Sequence, residues 1–264
     1  MNRPGGLLDR LWGGPEAQDY SLLPADRSFR DLLRAFVLPY LAYVALGGLL
    51  PGLLGPDLTQ AVRFLVVGAL LVYCRRNYAF GPRLAPAHYL MALVGAAAAT
   101  ALWIAILRFD LSLPFWHERL EQGNATEFSL LYWILRTLNS VLLVPIFEEL
   151  FCRAFIQELA HSSASESSGK AAASGKDQPG LLDRHPHPLA QPPLSTRAIA
   201  AATLVFTIGH DTASWAPAIL YFLLTTALYA YTRSFKLCIL IHAFTNLAIA
   251  ALVWLRPDMR FLWF

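Results

Sequence analysis

Residues 128–159 read FSLLYWILRTLNSVLLVPIFEELFCRAFIQEL. Of these 32 residues 22 are apolar, Pro145 included. A helix over them is about 48 Å long at the α-helical rise, against a hydrocarbon core about 30 Å thick. The run therefore crosses a bilayer with length to spare, and it must either project beyond the hydrocarbon or bend at Pro145. Six further apolar runs flank it: Leu33–Leu54, Leu58–Cys74, Tyr89–Leu107, Ala198–His210, Ala216–Tyr231 and Leu237–Leu255. The first is interrupted by Arg34, Pro39, Tyr40 and Pro51 and reads as a kinked span, and the second is shortened by Arg63. Ala198–His210 has only 13 residues, about 20 Å of helix, so its far end belongs inside protein or a water-filled cavity. The pattern predicts an all-α, polytopic transmembrane helical bundle of about seven spans.

Composition agrees. Of the 264 residues, 56% are hydrophobic and 15% charged, whereas soluble domains carry about 25% charged residues. An ordinary soluble domain is excluded, and so is whole-chain disorder, which requires few bulky apolar groups. A net charge of +3 without clustered Lys and Arg gives no nucleic-acid surface. Cys74, Cys152 and Cys238 are odd in number and sit in or beside apolar runs, which supplies no disulfide or zinc framework.

The chain divides into a polar N-terminal arm (1–31), N-terminal transmembrane helices (32–127), a transmembrane core (128–255) and a short tail (256–264). Within the core, residues 161–196 are rich in Ser, Gly and Pro and predict a mobile loop, since such a stretch buries too little apolar area to offset its ordering entropy. Its His185-Pro186-His187 lacks acidic or thiol neighbours and reads as solvated rather than metal-binding. Counted in alternate segments with the N-terminus inside, 14 Lys and Arg fall on the inner side and five on the outer. The N-terminus and the 161–196 loop are therefore expected in the cytoplasm, and the protein in the inner (cytoplasmic) membrane with the lipid bilayer as its surroundings.

Ionisable groups inside a bilayer cost several kcal/mol unless paired or hydrated, so each is a functional candidate. Glu149 and Arg153 stand at i and i+4 in the favourable order for a helical ion pair. Glu148 lies about 100° round the helix and has no local partner. Phe206 and His210 share one helical face, as do His242 and Asn246. Each pattern has a plainer explanation: glutamates at a helix end, a packed histidine, a hydrogen-bonded polar pair between membrane helices. Measured from the cytoplasmic ends, however, Glu148, His210, His242 and Asn246 lie roughly 18, 20, 9 and 15 Å deep. Three helices thus bring polar groups to the centre and cytoplasmic half, which predicts a polar cavity open to the cytoplasmic side.

Taken in order, Glu148-Glu149-x-x-x-Arg153, Phe206-x-x-x-His210 and His242-x-x-x-Asn246 on separate apolar helices resemble the signature of the CPBP (Abi) family of intramembrane endopeptidases. That family includes the eukaryotic CAAX prenyl endopeptidase and bacterial proteins linked to bacteriocin processing. The resemblance covers about Phe128 to Leu255, and it departs at Ala154, where many members have Gly. It implies peptide-bond hydrolysis of the glutamic type, without metal or other cofactor, on a peptide or protein substrate in the membrane. Glu148 is the candidate general base, assisted by His210, because a partly buried carboxylate and imidazole can both titrate near neutrality. His242 and Asn246 are candidates for binding the oxyanion. Glu149 and Arg153 form a supporting pair, unless Arg153 instead binds a substrate carboxylate.

Zinc held by two histidines and a glutamate is an alternative, although the sequence has no H-E-x-x-H pair. A transport or immunity protein is another, since buried carboxylates and histidines also build ion paths. The first half, including Leu38-Pro39-Tyr40, resembles CAAX-protease-related proteins found beside bacterial C-terminal sorting systems. With the compact, Ala/Leu-rich character of the chain, this implies a bacterial protein that processes an exported or lipid-associated substrate.

Overall fold

The computed structural model describes residues 29–78, 80, 84–111, 128–161 and 194–263. Most of the polar arm, and the Ser/Gly/Pro-rich loop with His185 and His187, lie outside the described residues. Regular structure among the described residues is entirely helical: α1 (Arg30–Leu49), α2 (Pro51–Tyr73), α3 (Pro86–Leu111), α4 (Leu130–His161), α5 (Thr196–Ile208), α6 (Trp215–Thr232) and α7 (Phe235–Leu255). Short 3₁₀ turns precede α6 (Thr212–Ser214) and follow α7 (Pro257–Trp263). Six of these helices, or of their continuous runs with a flanking turn, are long and apolar enough to span a membrane, and α5, with 13 residues, is the short one. Each apolar run of the sequence corresponds to a helix, and the chain is a multi-pass membrane protein. Large aliphatic side chains such as Leu53, Leu65, Leu90 and Leu204 are exposed, an outer surface suited to acyl chains and not to water.

Prolines set the helix boundaries and their irregularities. The first apolar run does not stay one kinked span: α1 stops at Leu49 and Pro51 opens α2, a first-turn position where the missing N–H costs nothing. Gly55 follows at φ 76°, a left-handed conformation that only glycine adopts cheaply. Pro39 and Pro145 are accommodated differently. Each is preceded by a π-helical turn, Leu33–Val37 and Asn139–Leu143. There Leu38 N–H donates five residues back to the Leu33 carbonyl, and Val144 N–H to the Asn139 carbonyl. The wider turn relieves the clash of the proline ring with the preceding turn. α4 therefore runs unbroken past Pro145, and a third π segment, Glu149–Ile156, follows at once.

The packing defines two ends of the bundle. At one, called here the arm end, the Tyr78 hydroxyl just beyond α2 donates to the Ala35 carbonyl of α1 at 2.7 Å, and His161 Nδ1 at the end of α4 lies 3.2 Å from Ser195 Oγ before α5. At the other, the tail end, Ser129 Oγ before α4 donates to Asp57 of α2 at 2.6 Å, and an Arg108 Nη2 of α3 lies 3.3 Å from Met259 Sδ. α4 and α7 are antiparallel. Going up α7, His242 faces Glu148, Asn246 meets Ser140 and Trp254 donates to Thr137.

Candidate active site

Glu149 and Arg153 form the ion pair that their spacing allows, with Arg153 Nε donating to Glu149 Oε2 at 2.6 Å. The guanidinium also donates to Thr226 Oγ1 at 2.8 Å and Thr225 Oγ1 at 3.0 Å, and it lies 4.4 Å over the Phe222 ring. Arg153 is wholly buried, so it has no access to a substrate carboxylate. That alternative is removed, and the pair ties α4 to α6.

His242 sits between the two glutamates, its Nε2 3.7 Å from Glu148 Oε2 and its Nδ1 3.6 Å from Glu149 Oε1. Through Glu149 the buried pair thus borders the histidine that faces Glu148. Glu148 Oε2 is itself buried without a hydrogen-bond partner.

His210 follows directly on α5. Its Nδ1 lies 2.8 Å from the Phe206 carbonyl. Since a carbonyl only accepts, Nδ1 carries the proton and Nε2 is left as the acceptor in the neutral ring. The ring is held between Phe206 and Trp103, with centroids at 4.6 and 5.6 Å. A Cβ on the neighbouring Gly209 would stand 2.5 Å from the Tyr40 hydroxyl oxygen, so only glycine lets α1 approach here.

Asn246 is positioned by the irregularity of α4. With Val144 N–H turned to the Asn139 carbonyl, the next donor in that register belongs to residue 145, a proline without N–H. The Ser140 carbonyl instead accepts from Asn246 Nδ2 at 2.7 Å. One amide hydrogen is thereby used and the second remains.

Glu148, His210, His242 and Asn246 line one cavity of about 280 Å³, together with Phe206. Glu149 and Arg153 are not part of its wall. On α4 the lining residues are Arg136, Ser140, Val144 and Glu148, a stripe at four-residue intervals that stops at Glu148. On α7 they begin at His242 and continue to Ile249, and Leu262 adds to the wall from the tail. Because α4 and α7 are antiparallel, the cavity extends from Glu148 and His242 toward the tail end of the bundle, away from residues 161 and 194.

Among the described residues no group of three or more His, Cys, Asp and Glu is placed to share a metal ion, so they present no donor set for the zinc alternative. The three cysteines are free and buried, and burial raises the thiol of Cys74, just beyond α2, away from its reactive thiolate form. Tyr43, Arg63, Trp103, Arg136 and Tyr221 also line the cavity and were not singled out from the sequence. For Arg63 and Arg136 the signal was present, a charge inside an apolar run, the same one that marks Glu148.

A multi-pass helical membrane protein with a polar cavity walled by carboxylate, imidazole and carboxamide defines the class. The model of the family described as type II CAAX prenyl endopeptidase Rce1-like matches residues 130–248. Over that stretch the chain is similar to this family, and the match supports a CAAX protease-like membrane endopeptidase family. No curated protein and no solved structure matches the chain.

Proposed function

We propose that this protein hydrolyses a peptide bond of a membrane-associated or lipid-modified protein or peptide, with Glu148, His210, His242 and Asn246 as its catalytic residues. The observation that supports this is their shared cavity. Water attacks the scissile carbonyl carbon as Glu148 takes one of its protons, and His210 Nε2 accepts the other water hydrogen and orients the attack. The oxyanion that forms is held by the second Asn246 amide hydrogen and by His242. The C–N bond then breaks, and the leaving nitrogen takes the proton from Glu148, which returns as carboxylate. Side chains and water suffice for every step.

The orientation in this reading has the arm end, with its excess of Lys and Arg, in the cytoplasm. The cavity then extends toward the extracytoplasmic side. The cytoplasmic opening expected from depth along the sequence corresponds to the opposite orientation, and labelling of the two ends decides between them. The substrate in this reading is an exported segment arriving at the outer half of the membrane. The test is to map peptide termini in cells carrying the wild-type protein or Glu148→Ala. New termini that require Glu148 are the expected result, and identical termini in both would overturn the reading.

A further inference from the structure

We infer that the 3₁₀ segment after α7, Pro257–Trp263, is a strap across the tail-end mouth of the cavity, an autoinhibitory contact that swings away before a substrate peptide enters. The inference concerns the regulation of the site described above and rests on the proposed hydrolytic reading.

The cavity wall is built from the helices and from the turn after α5 that carries Gly209 and His210, with one exception. Leu262 lines the same cavity from the strap. A single extended residue, Arg256 at φ −133° and ψ 92°, joins the strap to α7. Its 7 residues cover about 14 Å at the 3₁₀ rise, enough to pass from one helix to the next at the usual spacing of about 8–10 Å.

Where the strap lands decides its role. On each of three helices it meets the bundle at, or one turn beyond, the outermost cavity residue. The cavity residue of α3 is Trp103. One turn further out, Leu107 shares a buried cluster with Met259 and Leu262, and an Arg108 Nη2 lies 3.3 Å from Met259 Sδ. On α4 the outermost lining residue is Arg136, and the Arg260 guanidinium lies 5.8 Å over the ring of Trp133, one turn beyond it. On α7 the lining ends at Ile249, and both Ile249 and Val253 belong to the cluster with Met259 and Leu262. α3, α4 and α7 thus hold the strap as a cap over the tail end, with Leu262 reaching into the wall. Ile249 is one turn from Asn246 on the same face of α7. A peptide arriving from the tail end therefore meets this plug before it meets Asn246, His242 and Glu148.

The strap is held lightly. Its described buried side chains are Met259 and Leu262. The ion pair of Arg256 with Asp258, at 3.0 Å, joins two exposed residues of the segment to each other. A 3₁₀ run of this length is uncommon because its hydrogen bonds are poorly aligned, and a segment with few buried apolar contacts opens locally at low cost. The same two side chains that plug the mouth are the ones that have to be released.

The test reads access to the cavity separately from cleavage. Val144, which lines the cavity, is replaced by cysteine in the full-length protein in detergent, and its modification by sulfonatoethyl methanethiosulfonate is timed. The native cysteines are buried and report an intact bundle. Met259→Ser combined with Leu262→Ser removes the two apolar anchors and keeps the segment. This variant is expected to speed labelling at Val144→Cys about tenfold or more while Cys74, Cys152 and Cys238 stay unreactive. Cleavage should rise through a lower KM more than through kcat, since the strap opposes entry and touches no reacting group. A chain ending at Arg256 should show the same changes. Unchanged labelling in the double-serine variant overturns the strap. So does a rise shared by the native cysteines, which would make the segment a brace of the bundle and not a cover of the cavity. Should the double-serine variant fail to fold, the shortened chain decides by the same readings. Faster labelling with no cleavage in any of these chains would overturn the hydrolase reading alone, and Glu148-dependent cleavage indifferent to the strap would overturn the strap alone.

Discussion

Asn246 Nδ2 donates to the main-chain carbonyl of Ser140 at 2.7 Å, and that carbonyl lacks a helical donor because residue 145 is proline. An interhelical contact at the site thus depends on a residue with no polar side chain. Pro145→Ala restores an N–H that can compete for Ser140. The expected result is unchanged or higher thermal stability, with cleavage reduced about tenfold or more, since misplacing a reacting group by about 1 Å costs on the order of a hundredfold. Unfolding temperature and cleavage rate, measured on the same preparation, check this.

The two adjacent glutamates should respond oppositely to the same change. Glu149→Gln strands the buried Arg153 charge and is expected to destabilise by about 3–5 kcal/mol. Glu148→Gln removes a carboxylate whose Oε2 has no hydrogen-bond partner; stability should be kept or raised while cleavage falls to background. Denaturant or thermal unfolding in detergent, set beside activity, separates them. Equal stability losses would contradict the division between supporting and catalytic roles.

For the ion pair itself, Glu149→Leu combined with Arg153→Met should be markedly more stable than either single variant. Removing both charges leaves neither stranded, and buried pairs replaced by apolar groups are often neutral in stability. A double-mutant cycle gives the coupling directly.

Gly209→Ala places a methyl against the Tyr40 hydroxyl. Tyr40 is stacked on Phe151 at 4.3 Å and has little room to yield, so the α5 end and His210 with it should shift. A loss of about 1–3 kcal/mol is expected, and Tyr40→Phe in the same chain should recover part of it by removing the clashing oxygen.

Orientation is open to a direct measurement. Arg75 at the arm end and Asp258 at the tail end are both exposed. Cysteine placed at Arg75 should resist a membrane-impermeant thiol reagent applied to intact cells, and cysteine placed at Asp258 should react. The native cysteines are buried and give little background. The reverse labelling pattern would return the cavity to the cytoplasmic side. Cleavage should also persist in strong chelator, because the proposed steps use only water and side chains; its loss, restored by added zinc, would reinstate the metal alternative.

The sequence by itself determined the helical membrane architecture, because a bilayer accepts only segments that satisfy their own backbone and are apolar over about 20 residues. It also picked out the residues of the cavity wall that carry acidic, imidazole and amide groups, since a polar side chain in an apolar run stands out locally. The i, i+4 relation of Glu149 and Arg153 needed no more than one helix. Tertiary structure alone decided that His242 lies between the two glutamates, that Asn246 leans on Ser140, and that Arg63 and Arg136 share the cavity. Each of these joins residues tens to more than a hundred positions apart, and no periodicity along the chain encodes which faces of antiparallel helices meet. The direction of the cavity has the same origin: depth along one helix is a scalar, and only the register of α4 against α7 turns it into a side.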